Sequence, residues 1–301
     1  MQLVGVAMVR NEADVVEAFV RHNLRTLDRL LVVDHRSDDG TRDILAALVR
    51  EGLPLVVEHE EGAAQRQSEV TTRLARAAFA AGADVVLPVD ADEFLKVPSR
   101  AALERVLRSV PASLCGALAW QTYVPEADTE PAGDAFPTLR RRRATEAHGL
   151  QKVVLTRAFG DAPAAVVGYG NHTVLMSGPG HDLARMPVRL GLLPASIAAL
   201  AHLPVRSAAQ IMRKVAVGWA AYQTAVKSDA ALVFHWRELV EAFARDGRPD
   251  ERRLREIAVN YGVPMARWVP ADDVELVVDP VPIEGERRHA ALARTDAAAA
   301  P

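Results

Sequence analysis

Two aspartates and a glutamate stand almost side by side in Asp90-Ala91-Asp92-Glu93, directly after the apolar run of residues 85–89. Carboxylates this close repel one another, so they remain ionised together only beside a compensating cation. A hard divalent ion with carboxylate, water and phosphate ligands meets this need. An Asp-x-Asp pair in a loop is also common as a plain acidic turn. Its position after an apolar strand-like run favours the metal site.

Two further polar clusters follow apolar runs nearer the N-terminus. Arg10-Asn11-Glu12 comes after residues 3–9, and Asp34-His35-Arg36-Ser37-Asp38-Asp39-Gly40 comes after residues 30–33. In an open α/β sheet, ligands bind beyond the carboxyl ends of the strands. We therefore expect all three clusters to converge at one edge of a sheet, and this convergence predicts a ligand site.

The elements that must position these clusters alternate along the first hundred residues. Strands are predicted at residues 3–9, 30–33, 55–57 and 84–89, with helices at 12–27, 42–50 and 63–80. Short, nearly all-apolar strands separated by helices indicate a parallel sheet buried on both faces. Beyond residue 110, strands are predicted at 114–124, 152–156 and 165–176, and helices at 206–226 and 236–261. The predicted fold class is α/β, with a mixed sheet in the second half.

Three of these segments together resemble the signatures of family-2-type glycosyltransferases with the A-type fold. They are Met8-Val9-Arg10-Asn11-Glu12, the stretch 32–41, and Asp90-Ala91-Asp92-Glu93-Phe94. Within that family the segments resemble the branch with a D-x-D-E-F ending, and they are similar also to family-92 glycosyltransferases. The resemblance covers residues 1 to about 97. Later, Lys152-Val153-Val154 and His202-Leu203-Pro204-Val205-Arg206-Ser207, with Gln210 and Lys214, look like further stretches of that branch. The second segment departs from the usual form at His35, where Asp or Asn is commoner.

The resemblance implies a Rossmann-like nucleotide-diphospho-sugar transferase (GT-A) fold with a mixed central sheet and C-terminal helices. It implies transfer of a sugar, with inversion, from a nucleotide-diphospho-sugar to an unidentified saccharide or lipid-linked acceptor, as in the assembly of cell-surface polysaccharide. It divides the chain into a nucleotide-sugar-binding half at residues 1–110, an acceptor-binding half at 111–205 and a helical segment at 206–282. We expect a disordered tail at 283–301.

The same resemblance implies roles for individual residues. The nucleotide base and ribose would be held by Arg10, Asn11, Glu12 and Asp34, in a pocket shaped by Ser37 and Asp38. Asp90 would contact the ribose or a metal-bound water, and Asp92 would ligate Mn²⁺ or Mg²⁺. His202 would complete the metal site, with His172 as the alternative. Gln65 and Arg66 would reach the nucleotide or, equally, lie on a solvated helix face.

An inverting transferase also needs a carboxylate that deprotonates the acceptor hydroxyl. Glu126, Asp128 and Glu146 lie in the right part of the chain, although each alone is typical of a solvated loop charge. The sequence leaves the catalytic base open among them.

Composition limits the partners. Of 301 residues 50% are hydrophobic and 25% are charged, and the net charge of −3 provides no field that would attract nucleic acid. The single cysteine, the lack of a signal peptide and the lack of a membrane-spanning run predict a cytoplasmic protein. Four consecutive arginines, at positions 140–143, would bind an anionic acceptor, a lipid-linked phosphate or a membrane surface, or form a solvated strand or loop edge.

Two function classes stay open. One is the transferase, and the other is a non-catalytic sugar-nucleotide-binding or scaffold protein with a degenerate site. The intact Asp38, Asp90 and Asp92 favour the transferase.

Overall fold

The computed structural model describes residues 1–62, 66–111, 113–126, 139–177, 185–223, 234–283 and 288–293. The first half alternates strands and helices: β1 (Leu3–Val9), α1 (Val16–Asn23), β2 (Arg29–His35), α2 (Thr41–Arg50), β3 (Leu55–Glu60), α3 (Gln67–Ala80) and β4 (Val85–Pro88). The four strands form a parallel sheet in the order β3-β2-β1-β4. The carboxyl ends of β1, β2 and β4 therefore lie at one edge, as the sequence predicts.

Both faces of this sheet are covered, which explains why its strands are apolar throughout. Leu3 and Val9 of β1 join a core that includes α1, α2 and Leu30. Val4 and Val6, pointing the other way, pack with residues of α3 such as Leu74. Side chains alternate along a strand, so a strand buried on both faces needs an apolar residue at every position.

The second half begins with β5 (Glu93–Lys96), α4 (Arg100–Ser109) and β6 (Cys115–Thr122). It continues with β7 (Leu139–Arg143), β8 (Gln151–Val154), α5 (Arg157–Gly160), β9 (Val166–Val167), β10 (Val174–Ser177), β11 (Arg185–Pro187), β12 (Leu190–Leu192) and β13 (Ala199–His202). A mixed sheet has the order β12-β6-β13-β5, and β8 pairs with β6. A bridge between Val86 and Leu155 connects β4 to the segment after β8. The predicted α/β fold, Rossmann-like in its first half and mixed in its second, is confirmed.

The C-terminal part contains α6 (Ala208–Gln223), α7 (Phe234–Asp246), α8 (Glu251–Val259) and a strand, β14 (Leu276–Val281). The helices pack around a common core that includes Val205, Leu239 of α7 and Ile257 of α8. The segment expected to be helical, residues 206–282, therefore also contains a strand. This strand, β14, pairs antiparallel with β7. Among the described residues, no helix combines the length and apolar character needed to cross a bilayer.

The four arginines at positions 140–143 lie in or at the end of β7, and two of them are used inside the fold. Arg142 Nε donates to Asp279 of β14 at 2.6 Å. Arg143 donates to the carbonyls of Thr145 and Val259. Arg140 and Arg141 remain exposed. The run thus behaves mainly as a paired strand edge, with half of its charge directed to solvent.

Part of the segment expected to be disordered folds back onto the first half. The backbone N–H groups of Arg288 and His289 donate to Glu17 of α1 at 3.0 and 2.9 Å, and His289 contacts Glu51 beyond the end of α2. Gly40 makes this possible: its φ is +97°, and a Cβ there would lie 2.1 Å from the Leu292 carbonyl oxygen. The buried Glu17 carboxylate satisfies backbone donors that a sequence pattern does not reveal.

Candidate active site

A cavity of about 520 Å³ lies where the two sheets meet, at the carboxyl ends of β1 and β4. Its charged lining residues come from four places along the chain: Arg10 and Glu12 after β1, Asp90 and Asp92 after β4, Lys152 on β8, and Arg213 and Lys214 on α6. His202, at the end of β13, also lines it. Two of the three predicted clusters therefore open directly into one cavity.

Residues of the third cluster, which follows β2, hold the cavity-lining residue Asn11 in place. Asn11 has a φ of 55°, which asparagine tolerates better than most residues. Its backbone N–H donates to Ser37 Oγ at 2.9 Å, and its side-chain oxygen accepts from the Asp38 N–H at 3.0 Å. Ser37 and Asp38 thus fix the position of Asn11, while Asn11 itself lines the cavity.

Asp34 is fully buried at the end of β2. One of its oxygens accepts from Arg42 Nε at 3.1 Å and lies 3.5 Å from His59 Nδ1. The other oxygen has no hydrogen-bond partner among the described residues. Asp34 does not line the cavity, so its predicted contact with a base would need a ligand that extends past Asn11 toward β2.

Asp90 is held by three donors. Gln67 Nε2 and Asn171 Nδ2 donate to one oxygen at 2.9 and 3.1 Å, and the Lys152 ammonium contacts the other. Lys152 is only 1% exposed and also lies 2.9 Å from Glu93 Oε1. Burial raises the pKa of Glu93 to about 8 against the opposing effect of Lys152. Burial disfavours the Lys152 ammonium, but Asp90 and Glu93 outweigh it and raise the pKa of Lys152.

Asp92 and His202 form the part of the site that fits a divalent metal. His202 Nε2 lies 3.6 Å from Asp92 Oδ2, and both side chains are about 95% buried. Burial lowers the pKa of His202 to about 4, so its imidazole is neutral near pH 7 and can act as a ligand. Divalent ions hold oxygen and nitrogen ligands at about 2.1 Å, which two atoms this far apart can share.

His202 reaches this place through strand pairing. In the mixed sheet it lies opposite Glu93 of β5 and opposite Thr122 of β6. The backbone N–H of Leu203 donates to the Asp92 carbonyl at 2.9 Å. His172, the alternative ligand, also lines the cavity, but its Nδ1 is hydrogen-bonded to the Gln151 carbonyl at 2.9 Å and no described carboxylate lies within ion-pair distance of it.

A buried arginine ties the first cluster to the C-terminal helices. Arg206, 4% exposed, donates from Nε to Asp14 at 2.6 Å and contacts Glu12. Burial raises the pKa of Glu12 to about 7, and Arg206 opposes this shift. Arg206 therefore restrains the Glu12 carboxylate at the cavity wall.

An aromatic wall completes the cavity, and sequence analysis missed it. Trp120 of β6 is 8% exposed, and its ring lies 4.2 Å from His202 and 5.4 Å from His148 between centroids. Tyr169, Trp236 and Tyr261 add further rings. The Trp120 Nε1 atom has no hydrogen-bond partner among the described residues. These residues come from separate elements without a shared spacing, so no local pattern indicates them.

The other predicted residues lie elsewhere. Arg66 is exposed and pairs with Glu69, whereas its unpredicted neighbour Gln67 lines the cavity. Glu146 accepts from the Thr122 N–H and hydroxyl at 2.8 and 2.6 Å, and Glu126 lines a second cavity of about 260 Å³. Gln65 and Asp128 lie outside the described residues. Among the described residues, the carboxylates that line the main cavity are Glu12, Asp90 and Asp92.

No protein-family model matches the sequence, and no curated protein matches it. Three solved structures that it is similar to are sugar transferases. A mannosyltransferase from Pyrobaculum calidifontis, in complex with GDP-Man and Mn²⁺, is 16% identical over 82% of this chain and 76% of that chain, with a TM-score of 0.40. Mannosyl-3-phosphoglycerate synthase from Rubrobacter xylanophilus is 25% identical over 40% of this chain and 41% of that chain, with a TM-score of 0.32.

Glucosyl-3-phosphoglycerate synthase from Mycobacterium tuberculosis, in complex with Mn²⁺, uridine diphosphate and glucosyl-3-phosphoglycerate, is 20% identical. The match covers 40% of this chain and 44% of that chain, with a TM-score of 0.29. The chain therefore spans about two fifths of the length of each synthase. At these scores the likeness assigns no substrate and no residue role to this chain.

Proposed function

We propose that this protein transfers a sugar from a nucleotide-diphospho-sugar to a hydroxyl group of an acceptor, with a divalent metal bound at Asp92 and His202. The observation that carries the proposal is the meeting of Asp90, Asp92 and His202 in one cavity with the Arg10-Asn11-Glu12 turn. Two carboxylates, a neutral imidazole and the Arg10 guanidinium, two of whose nitrogens have no hydrogen-bond partner among the described residues, suit a ligand with a diphosphate group.

Arg10 is suited to bind the anionic donor. Its Nε and Nη1 atoms are buried and have no hydrogen-bond partner among the described residues, although the side chain lines the cavity. Buried guanidinium nitrogens without partners are costly unless a ligand provides acceptors. Its planar fork fits a phosphate or a base carbonyl. Asn11, fixed by Ser37 and Asp38, and Glu12, fixed by Arg206, would position the ribose and base.

Asp92 and His202 would hold Mn²⁺ or Mg²⁺, and such an ion offsets the charge that builds up on the leaving nucleoside diphosphate. Gln67 and Asn171 donate to Asp90 and fix the orientation of its carboxylate, which would contact the ribose or a metal-bound water. The aromatic wall provides flat apolar faces, and burial lowers the pKa of His172 and His202 to about 4 and keeps them neutral, which suits one face of a sugar ring.

The test is a panel of UDP-, GDP- and dTDP-sugars, each with Mn²⁺, with Mg²⁺ and with EDTA. We expect one nucleotide class to raise the melting temperature with metal and much less with EDTA, and the matching sugar to be transferred or slowly hydrolysed. Equal stabilisation with EDTA would contradict the metal role. Metal-dependent binding without any turnover across a range of acceptors would favour the non-catalytic binding protein instead.

A further inference from the structure

Lys214 occupies the carboxylate oxygen that a metal at Asp92 would use. Its ammonium contacts Asp92 Oδ2, the same oxygen that lies 3.6 Å from His202 Nε2. The Lys214 side chain is 20% exposed and that of Asp92 is 4% exposed, so the pair is largely enclosed. The ring of Tyr261 covers Lys214 at 5.6 Å. In this arrangement, lysine is the counterion of Asp92.

Among the described residues, the other carboxylates that line the cavity already have cationic partners. Glu12 is already bound by Arg206, and Asp90 is already bound by Lys152. Arg206 and Arg213 add further positive charge on the same side of the cavity. An ammonium displaced from Asp92 would therefore stay in a partly enclosed, positively charged region until an external anion entered.

We propose that Lys214 couples metal binding to diphosphate binding: it neutralises Asp92 in the empty site and moves to the diphosphate of the donor when a metal takes its place. This inference rests on the proposed function, because it requires a metal and a diphosphate ligand. The side chain has room for the movement, since Lys214 lines the same cavity as Arg10 and Asp92.

The proposed coupling predicts that the metal binds differently alone and together with a diphosphate. A metal ion that arrives alone must break the Lys214–Asp92 pair without giving Lys214 a new partner. A metal ion that arrives with a diphosphate exchanges one ion pair for another. Metal alone should therefore bind weakly, and the diphosphate should tighten it beyond the chelation seen in solution.

The experiment compares the wild type with Lys214→Met, which keeps a long unbranched side chain and removes the charge. Binding of Mn²⁺ alone is measured by electron paramagnetic resonance of the free ion, and then repeated with saturating UDP or GDP. Lys96→Met is the matched control, because Lys96 pairs with Asp279 and does not line the cavity. Lys214→Gln repeats the test with a polar side chain if the methionine variant does not fold.

We expect Lys214→Met to bind Mn²⁺ alone about tenfold more tightly than the wild type, and Lys96→Met to bind like the wild type. The extra tightening by nucleotide should shrink in Lys214→Met. Unchanged or weaker binding of Mn²⁺ alone to Lys214→Met would overturn the inference. Failure of the proposed function gives a different result, since the wild type would then show no tightening with either nucleotide.

Discussion

Asp92 is buried, charged and in contact with two partners of different kinds. Burial raises the cost of its carboxylate, but Lys214 and His202 outweigh that cost, and the pKa of Asp92 lies well below its usual range. The side chain is therefore ionised across the neutral pH range. A negative charge held in this way is suited to bind a cation.

Asp92→Asn keeps the shape of the side chain and removes the charge that binds the cation. We expect the transfer rate to fall by about a hundredfold or more, roughly 3 kcal/mol of transition-state stabilisation. The measurement is the initial rate with the donor identified by the panel. Asp279→Asn, which removes a carboxylate paired with Lys96 and Arg142 outside the cavity, is the control and should keep its rate. Equal rates for the two variants would contradict the assignment of Asp92.

The two cavity histidines should differ in their effect on metal dependence. His202→Ala removes an imidazole 3.6 Å from Asp92, so the concentration of Mn²⁺ needed for half-maximal nucleotide binding should rise about tenfold or more. His172→Ala should change it much less, because His172 contacts the Gln151 carbonyl instead. The measurement is a thermal-shift titration of Mn²⁺ at fixed nucleotide. A larger effect of His172→Ala would exchange the two roles.

Helix α6 carries Lys214 and, one turn later, a glycine that sets its distance from α7. A Cβ on Gly218 would lie 2.9 Å from two carbons of the Trp236 ring, and both residues line the cavity. Glycine in a helix costs about 1 kcal/mol relative to alanine. The glycine at position 218 indicates that packing of α6 against α7 stabilises the fold by more than the helix propensity that the glycine loses.

Gly218→Leu tests that spacing. The gain in helix propensity is about 1 kcal/mol, while forcing extra carbons into a packed contact costs about 1–3 kcal/mol for a small insertion and more for a large one. We expect a net loss of about 2 kcal/mol in the free energy of unfolding by urea. Ala220→Leu on the exposed face of the same helix should change stability by less than about 0.5 kcal/mol. A Gly218→Leu variant as stable as the wild type would show that α7 moves freely.

Some strands and helices could be predicted from the sequence and others could not. The parallel strands were predictable because burial on both faces demands an unbroken apolar run, as in β4. The strand β5 was not, because Glu93-Phe94-Leu95-Lys96 is short and follows the acidic cluster directly. The strand β14 includes Pro280, which normally argues against a strand, and its pairing with β7 is irregular there. The aromatic wall depends on tertiary placement alone, so its role is visible only in the folded chain.

At the scale of the whole molecule, buried and partly buried histidines connect stability to pH. Burial lowers the pKa of His235 from 6.5 to about 4, and it does the same for His172 and His202. In the unfolded chain these rings take up a proton below about pH 6.5, whereas in the folded chain they stay neutral to about pH 4. Each ring therefore reduces stability progressively as the pH falls through this window. The buried carboxyls Glu12 and Glu93, whose pKa values are raised, act in the opposite direction.

A difference measurement isolates one histidine from these opposing effects. The stability of the wild type relative to His235→Gln should decline between pH 7 and pH 4.5. The change is at most about 3 kcal/mol, and less because the ring is partly exposed. Urea unfolding at the two pH values measures it. A constant difference between the two proteins would show that His235 titrates alike in the folded and unfolded chains.

The contact of residues 288–293 with α1 and α2 has a consequence for the order in which the protein is made. His289 contacts Glu51, a residue 238 positions earlier in the chain. At about 5–20 residues per second, a ribosome adds His289 roughly 10–50 s after Glu51. During that time Glu17 lacks two of its hydrogen-bond donors, and Gly40 lacks its neighbour Leu292. The loop that holds Asn11 in place therefore acquires its final packing only after residues 288–293 have been made, well after its own residues.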